Sequence, residues 1–223
     1  MEAVKVTGIR KAFSNGAGRE EILRNVSFSL GEGTFTALMG ISGAGKTTLL
    51  HLLAGLQQPD EGEIMLSGRR IQTMSEKELT LFRRRHIAMI LQESVLLPGL
   101  TVEENVILPV VMDTGRLLDE KRLEEVLSVL RLTGQRNRYP AELSGGERQR
   151  AVVGRAFFSD AKLILADEPA ARLDTRQSLE LTGNLKQCAR MWHRTILMAT
   201  HDLGLAQICD RILELKDGAV FDR

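Results

Sequence analysis

Four stretches of this chain are apolar with almost no interruption: Phe35 to Met39, Ile87 to Leu91, Leu163 to Ala166 and Thr195 to Ala199. They do not alternate as half-exposed strands would. Runs of that length suit strands buried on both faces, as in a parallel sheet flanked by helices. Helical patterns fall between them. One extends from about Asp119 to Leu132 and places Leu123, Val126, Leu127 and Leu130 on one face. Another follows Ser144, where Ser144-Gly145-Gly146-Glu147 has the spacing of a capping box. Strands alternating with helices predict an α/β core. Each apolar run ends in a polar or glycine position: Gly40, Gln92, Asp167 and Thr200-His201. In open parallel sheets ligands bind beyond the carboxyl ends of the strands. Four stretches far apart in sequence are therefore expected to deliver their chemistry to one edge.

The amino-terminal part has a different character. Val4 to Ile9 and Ile22 to Leu30 read as strands, the second with Val26, Phe28 and Leu30 alternating, and Ser14-Asn15-Gly16 is the turn signal between them. Gly62 to Gly68 reads the same way. At 223 residues the chain fits one large domain, or one domain with a subdomain.

Gly40-Ile41-Ser42-Gly43-Ala44-Gly45-Lys46-Thr47 satisfies the phosphate-loop pattern in full, with an apolar strand before it and Thr48 to Leu53 as a helix after it. Glycines let the backbone curl so that successive N–H groups point at phosphate oxygens. The helix that follows adds unpaired donors and its positive dipole end. Lys46 would reach the terminal phosphates and the Thr47 hydroxyl would bind Mg²⁺. The alternative is a glycine-rich turn without a ligand. His51 reads as a helix residue near the core.

Leu163 to Ala166 leads into Asp167 and Glu168. An acid at a strand tip can hold the water shell of Mg²⁺, the role expected of Asp167. Glu168, one residue on, is the candidate general base toward the water that attacks the γ-phosphate. The alternative reading, two acids capping the next helix, is open for any lone Asp-Glu pair. His201 could hydrogen-bond the γ-phosphate and orient that water, or be purely structural. Gln92 could ligate Mg²⁺ and report the nucleotide state to the segment after it.

Composition narrows the partners. Thirty basic residues face 29 acidic ones, a formal net charge of +1, which offers no electrostatic footprint for nucleic acid. Arg83-Arg84-Arg85-His86 is the densest basic run. It reads first as a solvated helix face or a local contact to acidic groups, with a phosphate or lipid patch as the alternative. Cys188 and Cys209 are too few and too far apart for a disulfide framework or a zinc site, and read as small buried apolar residues. No charged-then-apolar leader opens the chain and no apolar run approaches the roughly 20 residues that span a bilayer. A cytoplasmic protein is expected.

Leu143-Ser144-Gly145-Gly146-Glu147-Arg148-Gln149-Arg150 resembles the signature of ABC ATPases. The resemblance extends over essentially the whole chain: phosphate loop at 40–47, Q-loop Gln92, signature at 143–147, Walker B ending at Asp167-Glu168, a D-loop ending at Asp174 and the H-loop His201. It implies a P-loop NTPase (RecA-like) core with an N-terminal antiparallel β subdomain and an inserted α-helical subdomain. Residues 1–92 and 154–223 would form the core with the β subdomain, and 93–153 the helical, signature-bearing subdomain. It also implies ATP and Mg²⁺ as cofactors and a head-to-tail pair of identical chains. The phosphate loop of one chain and Ser144, Gly145 and Gly146 of the other would enclose each ATP, with Asp174 also acting in trans. Phe13 falls where the family places an aromatic, usually tyrosine, that stacks on adenine. The transmembrane partner would be a separate permease, with this chain peripheral on the cytoplasmic face of the cell membrane.

Within the family, Leu96-Leu97-Pro98, Thr101 to Val106 and the Glu147 to Arg150 tail are most similar to the lipoprotein-release, macrolide-export, antimicrobial-peptide-resistance and FtsE-like group. ATP-driven export, lipoprotein release or mechanotransmission is the implied function. A cell-division regulatory ATPase or the ATPase of an importer are the alternatives. Ala170-Ala171-Arg172 departs from the group's usual Thr-Gly-Asn, Leu91 from its usual aromatic, and Val153-Gly154 from a more helix-favouring pair. Glycine in a helix interior costs about 1 kcal/mol.

Overall fold

The computed structural model describes residues 2–16, 18–93, 95–114 and 119–223. Residues 94 and 115–118 of the expected helical subdomain lie outside them. The chain opens with a long hairpin, β1 (Glu2–Asn15) and β2 (Gly18–Gly31), followed by β3 (Phe35–Met39), α1 (Lys46–Leu53), β4 (Glu61–Leu66) and β5 (Arg69–Arg70). Then come α2 (Glu76–His86), β6 (Ile87–Ile90), α3 (Val102–Thr114), α4 (Glu120–Val129) and α5 (Gly145–Phe158). The last part is β7 (Leu163–Asp167), α6 (Thr175–Met191), β8 (Thr195–Thr200), α7 (Leu203–Ala206), β9 (Arg211–Lys216) and β10 (Ala219–Asp222).

Among the described residues two sheets form. One is antiparallel, in the order β2-β1-β4-β5; the other has the order β10-β9-β3-β8-β7-β6. In the second, β9, β3, β8, β7 and β6 run parallel, and only β10 returns antiparallel on β9. All four apolar runs are strands of this sheet, and in its central strands β3, β8 and β7 both faces are buried. Ile164, Ala166, Ile196 and Met198 face a core shared with α3, α4, α5 and α6. Leu163, Leu165, Leu197 and Ala199 face a second core built with α1, α2 and the antiparallel sheet. That division explains why the runs show no polar alternation.

Ser14 and Asn15, expected in a turn, are the last residues of β1 and pair with Arg19 and Gly18. Cross-strand pairing carries the ladder to the hairpin tip and overrides their turn preference. The pairing slips by one residue between Lys11 and Ala12, a bulge at Ile22. Strands β9 and β10, whose sequence alternates with charge, were not among the expected elements. Gly154 has a packing reason. A Cβ there would sit 3.2 Å from Leu130 Cδ1 and from Val106 Cγ2, so the bare helix surface admits α3 and α4. The basic run takes its local reading: Arg84 and Arg85 both pair with Asp113, Arg83 donates to the Gly55 carbonyl, and His86 stacks on Phe82. Cys188 is buried and Cys209 half-buried, and burial pushes both thiols up to about 12.

Candidate functional site

β3 ends at Met39, and the chain turns through Gly40–Gly45 before α1 begins at Lys46. Gly45 has φ +100, a conformation closed to ordinary side chains, and a Cβ on it would meet Ile22 Cγ2 at 2.7 Å. The bulge in the hairpin thus presses Ile22 directly onto the loop. The first helical bond of α1 runs from the Leu49 N–H to the Gly45 carbonyl. The N–H groups of Lys46, Thr47 and Thr48 therefore have no partner within the helix and sit at its positive end. Lys46 is only 6% exposed. Its ammonium donates to the carbonyls of Gly40 at 2.7 Å and Ile41 at 3.1 Å, and lies 3.5 Å from Glu168 Oε1. A buried cation needs such partners.

The carboxyl ends of β7 and β8 supply the facing wall. Asp167 is the last residue of β7, and its Oδ2 accepts a 2.8 Å hydrogen bond from the Thr47 hydroxyl. Glu168 follows with φ +44. Continued extension would send its side chain to the opposite face from Asp167. The left-handed residue breaks that alternation, and both acids line one groove. Its backbone is held there by a bond from its own N–H to the Ala199 carbonyl and by the Ala171 N–H on its carbonyl, both 3.1 Å. Such conformations persist only where the surroundings over-determine them. His201, just past β8, places Nδ1 2.9 Å from Glu168 Oε1. Against an ionised carboxylate, Nδ1 is the donor.

These groups share an open groove of about 710 Å³. Phe13, Ile41, Ser42, Gly43, Gly45, Lys46, Thr47, Thr48, Gln92, Asp167, Glu168 and His201 all line it, and Ile22 and Ala171 join them without having been singled out as site residues. Ile22 gave no sequence signal beyond its place in a strand. Gly40 and Ala44 line a smaller cavity on the other flank of the loop. Phe13 is 41% exposed and carries the Lys11 ammonium 5.5 Å from its ring centroid.

Ser144, Gly145, Gly146 and Asp174 do not line the groove. Ser144 and Gly145 are exposed at the start of α5. The expected capping box is present: Glu147 accepts from the Ser144 N–H at 2.8 Å and hydroxyl at 2.7 Å, while Ser144 Oγ accepts the Glu147 N–H. Those bonds, the backbone one first, hold the Glu147 carboxyl below its ordinary value. Asp174 is exposed and N-caps α6 through the Gln177 N–H at 2.8 Å. Arg172, in the segment that departs from the family pattern, pairs with Glu93 at 2.8 Å, beside Gln92.

A glycine loop that opens a helix at the carboxyl edge of a parallel sheet, facing two acids at the end of β7 with β8 between, is the architecture of nucleoside-triphosphate-binding P-loop proteins. Comparison with known proteins narrows that class. Residues 23–171 match the ABC transporter family, and the chain belongs to it. It is 36% identical over 222 residues to the bacitracin export ATP-binding protein BceA of Halalkalibacterium halodurans, covering 99% of this chain and 88% of that protein. It is also 36% identical over 221 residues to the lipoprotein-releasing system ATP-binding protein LolD of Cytophaga hutchinsonii, covering 99% of both. Its fold superposes with TM-score 0.88 and 34% identity on a dimeric post-hydrolysis state of the ATP-binding cassette MJ0796 bound to ADP and Pi, covering 99% of this chain and 97% of that one. The chain is an ATP-binding, ATP-hydrolysing component of the ABC transporter type. Components of this type form dimers and serve a membrane permease. Among the described residues no helix is long and apolar enough to cross a membrane.

Proposed function

We propose that this chain binds ATP with Mg²⁺ between two copies of itself and hydrolyses it to drive a separate permease on the cytoplasmic face of a membrane. The observation that carries this reading is the meeting of Lys46, the Thr47–Asp167 pair and the Glu168–His201 pair in one groove. Adenine stacks on Phe13. Phosphate oxygens take the N–H groups of residues 43–48, and the Lys46 ammonium leaves its two carbonyls for the β- and γ-phosphates.

Thr47 Oγ1, an Asp167 carboxylate oxygen and the Gln92 amide oxygen are hard donors. Magnesium is usually held by one or two carboxylates with phosphates and water, and this donor set fits that pattern. When bound, the ion neutralises charge developing on the β- and γ-phosphates. Glu168 takes the proton of the attacking water, and His201 fixes the carboxylate that does so while its Nε2 faces the γ-phosphate or that water. Lys46, beside Glu168, stabilises the negative charge of the transition state.

Ser144 and Gly145, exposed at the start of α5 with Gly146 buried behind them, support the rest of the reading. Ser144, Gly145 and Gly146 of a second copy, turned head to tail, close over the γ-phosphate, and Asp174 contacts the facing chain. Val95, Leu97 and Met112 are exposed apolar residues beside the groove-lining Gln92 and on α3, a surface suited to a permease. Asn105, fully buried, fixes this presentation by accepting the Leu97 N–H and donating to the carbonyls of Leu97, Leu100 and Thr101. Relatives named for bacitracin export and lipoprotein release support export or release as the process driven.

Glu168→Gln tests the assignment. A carboxamide keeps the shape and cannot take a proton, so turnover falls by about 10²–10⁴-fold, the usual worth of a general base. ATP binding persists and an ATP-bound dimer accumulates on size-exclusion chromatography. Hydrolysis at the native rate would remove Glu168 from the role of base.

A further inference from the structure

The ring at residue 13 stands near the tip of a hairpin, and its position has to be set by something outside that hairpin. The pairing of β1 with β2 is bulged between Lys11 and Ala12, just before Phe13. At the bulge the Ala12 N–H is directed not along the ladder but to Asp60 Oδ2, at 2.9 Å. The same oxygen accepts from Arg19 on the opposite strand at 3.0 Å, and Oδ1 takes the Lys11 ammonium at 3.4 Å. The Asp60 N–H in turn donates to the Arg10 carbonyl at 2.9 Å. One residue in the loop between α1 and β4 thus grips β1 through its backbone and both hairpin strands through its carboxylate.

Lys11 completes the arrangement. Strand periodicity puts residues 11 and 13 on the same face. The ammonium is anchored to Asp60 and to the Gln58 carbonyl at 2.8 Å, and from there lies 5.5 Å from the Phe13 centroid. A cation over one ring face is attracted by the ring quadrupole and leaves the second face for a base. The groove touches Phe13 and not Lys11. The Asp60 carboxyl is held below its ordinary value, chiefly by the Ala12 N–H and next by Arg19.

We infer that Asp60, acting with Lys11, is the positioning residue for the base-stacking face of Phe13, and so sets affinity for the purine part of the nucleotide without touching it. This rests on the stacking role proposed for Phe13. Asp60 approaches neither the phosphate loop nor the acids through any of these contacts, so its effect is confined to ligands that carry a base.

The test compares the full chain with Phe13→Ala, Asp60→Ala, Asp60→Asn and the Phe13→Ala/Asp60→Ala double variant. Calorimetric titration uses two probes with Mg²⁺: ATP, and inorganic tripolyphosphate, which has no base. Base–aromatic stacking corresponds to roughly 5- to 150-fold in affinity. Phe13→Ala is expected to lose about tenfold or more for ATP, Asp60→Ala about three- to tenfold, and the double variant no more than Phe13→Ala alone. Tripolyphosphate affinity stays within about twofold throughout. Asp60→Asn keeps an acceptor for the Ala12 N–H and loses the ion pairs, so it folds where the alanine variant fails and shows a smaller loss of the same base-selective kind. Equal weakening toward both probes, losses that multiply in the double variant, or native ATP affinity in both Asp60 variants would each overturn the inference. Native ATP affinity in Phe13→Ala would instead sink the stacking role beneath it.

Discussion

Gly45→Ala separates two physical demands at the phosphate loop that coincide in the native chain. The first is conformational. Gly45 has φ +100, and an alanine held at positive φ costs about 1–2 kcal/mol. The second is steric. The new Cβ would lie 2.7 Å from Ile22 Cγ2 and 3.3 Å from Leu23 Cδ2, and overpacking a fitted site costs about 1–3 kcal/mol. Together they destabilise by about 2–5 kcal/mol, a fall in melting temperature of roughly 4–20 °C for a chain of this size. The closest part of the clash depends on Ile22. A thermal and urea double-mutant cycle with Ile22→Ala should therefore show a coupling of up to about 1–3 kcal/mol, leaving the backbone cost of about 1–2 kcal/mol and the looser Leu23 contact behind. A loss under about 2 °C in Gly45→Ala, or the same loss in both backgrounds, would refute the picture of the hairpin pressed on the loop.

Two further outcomes follow from other parts of the molecule. Burial raises the Cys188 and Cys209 thiols to about 12 from an ordinary 9.0. The folded chain holds those protons longer than the unfolded one, so this contribution is complete below pH 9 and lost as pH climbs toward 12. Denaturant midpoints should fall over that window and not below it, and a thiol reagent at pH 8 should label the native chain far more slowly than the unfolded one; rapid native labelling would refute the burial argument. Ser144→Ala removes the α5 cap, worth about 1 kcal/mol or roughly 2–4 °C, and should also lower the yield of ATP-bound dimer in the Glu168→Gln background; an undiminished dimer would remove Ser144 from the interface.

Local pattern carried a large share of what the sequence determined by itself. The four buried strands were legible because burial on both faces removes polar residues from a run, and that composition needs no knowledge of neighbours. The phosphate loop and the α5 capping box were legible because their partners lie within a few residues, so spacing alone specifies the bonds. Tertiary structure decided what depends on distant partners. Strand β8 lies between β3 and β7 in the sheet, and this order brings His201 to Glu168 and Glu168 to Lys46. No residue announces it, since strand order is set by how whole faces pack. The left-handed turn at Glu168 is likewise imposed by the Ala199 carbonyl on the adjacent strand. Asp60 looked like an ordinary loop acid, because its partners Ala12 and Arg19 lie 48 and 41 residues away and meet it only through the register of β1 on β2 and β4. Sequence fixes which groups are present at short range; the packing of sheets and helices chooses which of them stand within a hydrogen bond of each other.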